Sequence, residues 1–419
     1  MLHIRLIEIM KVYLVGGAVR DQLLGYPHHE RDWVVVGASA NDLLTKGFQQ
    51  VGRDFPVFLH PKTREEYALA RLERKKAPGY HGFSCDVSPA VTLEEDLKRR
   101  DLTINAMALD EQQRLIDPYN GQKDLDNRIL RHVSPAFAED PVRVLRIARF
   151  AARYHHLGFK LADETMSLIY GMVRAKELAS LVAERVWQEW QKSFLEKNPE
   201  IFIKVLRDCG ALAVILPEID ALFGVPNPKS YHAEIDSGVH SLLVLSEAVK
   251  LAKAPEVRFA ALLHDLGKAL TPAKCWPRHH GHEEKGLKPI ETLCFRLRIP
   301  TDYRKLALLA SKTHLVIHRF SELKASTIVE TLEEADAFRK PALFRALLQI
   351  AEADARGRLK PIDYKQAVQW QVVLDACSQI TVRPFIEKGV QGEAIKNELR
   401  QARVNLCQQL LNKWKNNEE

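Results

Sequence analysis

The apolar positions divide the chain into two regimes. Up to about residue 93 they fall in short runs of strand length. KVYLV (11–15) alternates and then runs apolar into Gly16-Gly17, which predicts a strand ending in a turn. AVRDQLLG (18–25) has helical spacing and stops at Gly25, a C-cap residue. Residues 32–36 read as a second strand, and 41–52 as a helix capped by Asn41 or Ser39. VFLH (57–60) and EYALARLE (66–73) read as further strands. RKKAPGYHGF (74–83) has no periodicity and carries Gly, Pro and cations, so it reads as a mobile basic loop. The spacers are too irregular for repeated βαβ units, which predicts an antiparallel or mixed sheet.

From residue 94 onward the three- and four-residue spacing of helices takes over. TLEEDLKRRDLTINAMAL (92–109) passes from helical spacing into an apolar segment. LIDPYNGQKDLDNRILR (115–131) is turn-rich with short strands. AEDPVRVLRIARFAARY (138–154) is a strongly amphipathic helix with Pro141 in its first turn. The rest reads as helices broken by loops such as 223–232 and 271–286, with no internal repeat. The fold class is therefore α+β, a mixed-sheet head followed by a mainly α-helical remainder.

Composition narrows this picture. A chain of 419 residues is expected to form about two to four domains. A formal charge of +7 and a pI near 8.9 suit a polyanionic partner without demanding one. The six cysteines, Cys85, Cys209, Cys275, Cys294, Cys377 and Cys407, show no CxxC spacing. A structural zinc site or disulfide framework is not expected, and a reducing cytoplasm fits. No apolar run reaches membrane-spanning length, and His3, Arg5 and Glu8 interrupt the start, so neither a membrane span nor a signal peptide is expected. Met10 offers an alternative start, leaving residues 1–9 as an extension of little consequence.

The head carries a first chemical constellation. Backbone N–H groups at Gly16-Gly17, between a strand and a helix, can approach a phosphate closely. Arg20 follows on the first helical turn and can grip the same anion. Glu30 and Asp32, at i and i+2 of a strand entry, point to one face. Like charges so close call for a cation between them. A phosphate grip with paired carboxylates is what two-metal phosphoryl transfer requires, with Mg²⁺ as the fitting ion. An acidic pair before a strand is also an ordinary solvated strand entry. The ordered spacing from GG-x-x-R-D to acid-x-acid is what favours the metal reading. A third acidic group is sought on 66–73, where Glu66 and Glu73 both qualify.

LVGGAVRDQLLG with ERDWVVVG resembles the head of tRNA nucleotidyltransferases, the class shared by bacterial CCA-adding enzymes and poly(A) polymerases. EEDLKRRDLTINAMAL resembles that family's RRD–TINA segment, which implies contacts from Arg100 and Asp101 to the nucleotide's sugar and phosphates. AEDPVRVLRIARF resembles its EDxxR helix. There Asp140 and Arg143, at i and i+3, are expected as neighbours on one helix face. Their acceptors and forked donors suit the edge of C or A, and the resemblance implies this base-selecting role. Arg146 and Arg149 continue along that side toward triphosphate and base. The bland alternative is a surface salt bridge on a solvated, Arg-rich face. The sequence departs from the family at one point, with Glu30 where Asp is usual.

A second constellation lies downstream. FAALLHDLGK (259–268) runs an apolar helix into His264-Asp265. Adjacent residues diverge by roughly 100° on a helix, yet at a helix end both can converge on one ion. With His240 upstream and Asp354 downstream, the order H…HD…D resembles the HD superfamily of metal-dependent phosphohydrolases. The ligand set suits Ni²⁺, Mn²⁺, Co²⁺, Zn²⁺ or Mg²⁺. His282, in HHGHEEKG (279–286), and His314 are auxiliary candidates.

The expected organisation is an extension (1–9), a nucleotidyltransferase head (10–137), a helical neck with the nucleotide-selecting helix (138–222), an HD domain (223–358) and a helical tail (359–419). In the tail, Lys396, Arg400 and Arg403 lie on an amphipathic helix that reads either as a contact to the tRNA backbone or as an ordinary solvated helix. The cations of 74–76, 98–100 and 143–153 suit backbone neutralisation. The resemblance implies addition and repair of the tRNA 3′-terminal CCA from CTP and ATP, with phosphatase and 2′,3′-cyclic phosphodiesterase activity at the HD site. Two rivals stand beside it: a poly(A) or A-only polymerase, and an HD phosphohydrolase with a non-catalytic tRNA-binding head. A cytoplasmic monomer or homodimer is expected.

Overall fold

The structure, a computed structural model, describes residues 10–27, 31–52, 57–75, 83–228, 236–358 and 363–417. The chain forms two compact units, Met1–Glu189 with Lys204–Val214 and Trp190–Ile203 with Ile215–Glu419.

The first unit is built on a sheet with strands β1 (Lys11–Val15), β2 (Asp32–Val36), β3 (Gln49–Val51), β4 (Val57–Leu59) and β5 (Glu66–Leu69). A separate ribbon pairs β6 (Leu72–Lys75) with β7 (Phe83–Asp86), and β8 (Ala108–Leu109) and β9 (Leu115–Ile116) extend the main sheet. The order is β3-β4-β5-β2-β1-β8-β9, with β2 and β5 parallel and the other neighbours antiparallel, so the sheet is mixed. The unbroken apolar run in β2 follows from cover on both faces. Val34 packs with Val15, Leu97, Ala106 and Ala108, while Val35 packs oppositely with Leu43, Phe58 and Leu69.

Several expected boundaries move. The helix expected over 41–52 is Ala40–Thr45, capped by Ser39 in a capping box with Asp42. Gly47 then turns the chain at φ 84°, and Gln49–Val51 pairs with β4 as a strand. The strand expected over 66–73 splits between the main sheet and the β6–β7 ribbon. The expected loop 74–83 contains strand residues at both ends, and 76–82 lie outside the described residues. The helix expected from 138 begins at Val142, with Asp140 extended before it.

The second unit is helical. Four helices, Ser237–Leu251, Pro255–Leu263, Thr301–His318 and Pro341–Arg356, form its centre. Ala260, Ala261, Ala307, Ala310 and Ala351 are fully buried along them, and such small side chains permit close approach of the helices. Trp370, on Lys365–Ser378, is buried and donates to the Ile317 carbonyl at 3.0 Å. The last helix, Glu393–Asn417, packs on Lys365–Ser378 and Ala325–Glu334. Among the described residues no helix is long and apolar enough to cross a membrane.

Candidate functional sites

The head site is built at one end of β1, β2 and β5. Val15 opposes Asp32 across β1–β2, and Asp32 is in register with Glu66 across β2–β5. Asp32 shares a sheet face with Val34, the face covered by Leu97 and Ala106. Leu97 and Ala106, which flank the segment 98–105, thus pack on the sheet face that Asp32 shares. Of the two acids left open by sequence, Glu66 stands level with Asp32, whereas Glu73 belongs to the separate ribbon. Glu30 lies outside the described residues.

The chain leaves β1 through Gly16 at φ 71°, a left-handed conformation that glycine adopts without strain. A β-carbon there would sit 2.8 Å from Arg100 Nη1, so the missing side chain lets that guanidinium lie on the turn. Arg100 is anchored to the Asp96 carboxylate at 3.2 Å, and its buried Nε has no hydrogen-bond partner among the described residues. Burial lowers the Arg100 pKa. A guanidinium packed on a Gly-Gly turn, with one of its donors unpartnered among the described residues, fits an anion.

Arg20 is placed differently from its sequence expectation. It is 3% exposed, ion-paired to Asp21 at 2.8 Å, donates to Asn105 Oδ1, and lies over the rings of Phe150 and Tyr154. It reaches the turn as a brace, 3.4 Å from where a Gly17 β-carbon would stand.

The helix Val142–Tyr154 carries a stripe of four arginines. Arg146 donates to Asp101 at 2.7 Å, Arg149 to Glu189 at 2.6 Å and Arg153 to Asp21 at 3.1 Å. Arg143 donates to the carbonyls of Ala136 at 2.9 Å and Arg99 at 2.6 Å. Burial would raise the Asp101 pKa, but Arg146 and the Asn105 amide hold it far below the usual carboxylate range. Asp101 thus orients Arg146 while accepting from Asn105 Nδ2 at 2.9 Å.

Asp140 and Arg143 do not share a helix face as expected, because Asp140 precedes the helix. The Asp140 carboxylate accepts both Nη atoms of Arg185, at 3.0 and 2.7 Å. The Val142 N–H also donates to Asp140 Oδ1 at 3.2 Å, and since a carboxylate offers about four acceptor positions, capacity remains for one further donor.

The second unit gathers the HD residues. His264 caps the C-terminal end of Pro255–Leu263, and Asp265 follows as the chain turns into a short 3₁₀ helix. Two overlapping donor triads share Asp265: His240, His264 and Asp265, and Asp265, His282 and His314, all buried. Asp265 Oδ2 is 3.2 Å from His264 Nε2 and 3.9 Å from His240 Nε2. Its Oδ1 is 3.1 Å from His282 Nε2 and 3.7 Å from His314 Nε2. Asp354 reaches His240 at 2.9 Å and His264 at 3.8 Å.

Hydrogen bonding sets the tautomers. Nδ1 of His264, His282 and His314 meets the carbonyls of Ala261, His279 and Ser311 at 2.8, 2.7 and 2.9 Å. A carbonyl only accepts, so each Nδ1 carries the hydrogen and each Nε2 is turned to the cluster. Burial, with His264 nearby, lowers His314 to about 3, so it is neutral at neutral pH. Burial lowers His264, but Asp265 and Asp354 outweigh it and raise its pKa. Burial opposes ionisation of Asp265 and Asp354, yet their histidine partners, and Lys268 for Asp265, hold both far below the usual range.

His282 Nε2 and His314 Nε2 face each other at 3.2 Å, and His264 Nε2 and Asp265 Oδ1 lack a hydrogen-bond partner among the described residues. Converging donor atoms left unsatisfied in a buried site fit divalent cations. The mixed nitrogen and oxygen set suits a transition metal.

Sequence reasoning missed several supports. His318 donates to Asp354 at 2.6 Å and is itself held by Tyr364 at 2.8 Å. Arg185 and Glu189 lie one helical turn apart, a spacing that offers a signal only once their partners are known. Gly267 had a signal in the HDLGK string. A β-carbon there would collide with the His282 carbonyl and Gly286 nitrogen, so glycine lets the His282 segment close on the HD turn. Gly267→Ala is expected to destabilise by about 1–3 kcal/mol and weaken Mn²⁺ binding. Denaturant melts and metal titration check this, and wild-type values in both would show that the close approach is dispensable.

In the tail, Arg400 pairs with Glu330 and Glu333 at 3.5 and 3.4 Å, and Arg403 stacks 3.7 Å over Phe338. Both face their own unit, while Lys396 is exposed.

Comparisons with known proteins give three family matches: "Poly A polymerase head domain" over residues 12–131, "Probable RNA and SrmB- binding site of polymerase A" over 158–223, and "HD domain" over 238–340. A multifunctional CCA protein of Legionella pneumophila (strain Paris) is 62% identical over 410 residues, spanning 98% of this chain and all of that protein. A solved structure of a CCA-adding enzyme with CTP matches at TM-score 0.63 and 22% identity, covering 95% of this chain and 87% of that one. The Thermotoga maritima CCA-adding enzyme complexed with tRNA_CCA matches at TM-score 0.63 and 20% identity, covering 98% and 92%.

Proposed function

This chain belongs to the family of multifunctional CCA proteins, and from that premise we propose that it builds and repairs the 3′-terminal CCA of tRNA and hydrolyses phosphoesters at a second site. In the first reaction the tRNA 3′-hydroxyl attacks the α-phosphate of CTP or ATP. One P–O bond forms, another breaks, and pyrophosphate leaves.

The observation that carries the transferase reading is the Gly16-Gly17 turn with the Arg100 guanidinium packed against it, at the strand ends that bear Asp32 and Glu66. Asp32 and Glu66 offer hard oxygen ligands suited to Mg²⁺, with Glu30, outside the described residues, the further ligand the sequence offers, and His240, His264, Asp265 and Asp354, with His282 and His314, suit Ni²⁺, Mn²⁺ or Co²⁺. When bound, such ions supply charge neutralisation and a more acidic hydroxyl or water. Gly16, Gly17 and Arg100 hold the triphosphate, Arg20 braces the turn, Asp101 aims Arg146, and Arg149, buried and paired with Glu189, is turned from the expected nucleotide contact to a support of that helix.

Asp140, oriented by Arg185, accepts the amino group that C and A share and G and U lack at the corresponding edge. Arg143 fixes the adjoining backbone. Asp140→Ala is expected to erode the preference for CTP and ATP over GTP and UTP by about tenfold or more, measured one nucleotide at a time. Unchanged selectivity would remove Asp140 from base choice.

The domains proposed are a head (10–137), a neck (138–222), an HD domain (223–358) and a tail (359–419), in the cytoplasm. Extension of tRNA lacking its terminal CCA, with each nucleotide supplied separately, tests the whole reading. Incorporation of C and then A is expected. Sustained A tails without C would replace it with a poly(A) polymerase.

A further inference from the structure

Beside the HD donors lies a buried cation, Lys268, which is not itself a metal ligand. Lys268 Nζ is 2.7 Å from Asp265 Oδ2 and 3.1 Å from Asn227 Oδ1. Its ammonium touches the oxygen that also faces His240 and His264. An ion drawing on Asp265 Oδ2 therefore competes with Lys268 for that carboxylate. A lysine so enclosed is costly without an anionic partner.

Asn227 gives the second, independent observation. It is 1% exposed, and its Oδ1 accepts from Ser237 Oγ at 2.9 Å as well as from Lys268. An ammonium only donates, so the atom facing it is the amide oxygen and the orientation is fixed. The amide nitrogen is then turned away, buried, and without a hydrogen-bond partner among the described residues. A buried amide nitrogen with no partner among the described residues points to a further acceptor.

The loop bearing Asn227 is pinned. His279 Nε2 donates to the Pro226 carbonyl at 2.8 Å, and His279 Nδ1 meets Thr271 Oγ1 at 2.7 Å. Two donors are thus held in place, one hydrogen-bond step apart, against the metal-binding carboxylate.

We propose that Lys268 and Asn227 form the phosphate-binding subsite of the hydrolytic centre, holding the non-bridging oxygens of a phosphoester or of the phosphate released. The inference rests on the HD site being hydrolytic. The Lys268 ammonium, paired with Asp265, is placed to donate also to the substrate's anionic oxygen. The Asn227 amide donates to a neighbouring phosphoryl oxygen.

The test uses the full chain loaded with Mn²⁺, a 2′,3′-cyclic nucleotide as substrate and inorganic phosphate as competitor. Lys268→Met and Asn227→Ala are each expected to weaken inhibition by phosphate about tenfold or more and to raise KM, as loss of a hydrogen bond to a charged group does. Lys268→Arg should restore part of it. Mn²⁺ affinity, titrated directly, should stay within about twofold of wild type or tighten, since a competing cation has gone. Reduced Mn²⁺ affinity with unchanged phosphate inhibition would overturn the proposal and leave Lys268 as a support for Asp265. A wild-type protein that binds Mn²⁺ but hydrolyses nothing removes the hydrolytic reading, and the subsite with it.

Discussion

Asp32→Ala is expected to abolish incorporation of both C and A, by about three orders of magnitude or more, while leaving phosphoester hydrolysis near wild type. The size follows from what the carboxylate does. Phosphoryl transfer offers little covalent chemistry to a protein, so positioning and charge neutralisation carry nearly all of the acceleration. Asp32 sits where two neighbouring strands converge on one edge, opposite Val15 and level with Glu66. Its side chain is exposed, so its removal leaves no core cavity, and the denaturation midpoint should not move. Glu66→Gln should cost less, since a neighbouring ligand retains shape and one acceptor. Single-turnover extension of tRNA ending before its CCA reads both variants. Incorporation by Asp32→Ala within about tenfold of wild type would exclude the strand edge as the catalytic centre.

His264→Ala and Asp265→Asn are expected to produce the mirror image. Hydrolysis of a 2′,3′-cyclic nucleotide should fall by about a thousandfold or more, and CTP and ATP incorporation should hold within about twofold. Asp265 belongs to both donor triads, so its change removes an acceptor from each, and metal stoichiometry is the sensitive readout. His264 contributes to one triad alone. Titration with Mn²⁺ should therefore show a larger loss for Asp265→Asn than for His264→Ala. Equal losses of hydrolysis and of nucleotide addition in either variant would contradict two separate sites.

The sequence was most informative where chemistry and local pattern coincide. Gly16-Gly17 and His264-Asp265 are compact strings that occupy the turn and the helix end their patterns predicted, whereas Arg100-Asp101 stands just past a helix that ends at Lys98. Gly25 ends its helix in the left-handed conformation expected of it. The pattern misled where tertiary pairing decides. Gln49–Val51 carries no marked strand signal and becomes a strand because β4 lies beside it. Asp140 reads as helical from its neighbours, yet stands before the helix and is claimed by Arg185, 45 residues away. Arg20 looks like an exposed phosphate ligand by position, whereas the structure buries it over the rings of Phe150 and Tyr154. Glu66 and Glu73 are equivalent on the page of letters, and strand register alone separates them. Long-range partners such as Asn227 for Lys268 leave no spacing to find.

The arginine stripe of Val142–Tyr154 bears on how the chain can be cut. A fragment ending at residue 137 holds the whole sheet, the Gly-Gly turn and the RRD segment. It would strand the buried Asp21 without Arg153 and the Tyr154 hydroxyl, Asp101 without Arg146, and Arg20 without its two rings. Those losses fall on buried charges, where a missing partner is most destabilising. The smallest autonomous piece of the transferase is accordingly longer than its catalytic motifs. Any chimera that exchanges heads between relatives has to carry the helix through Tyr154 along with its own head.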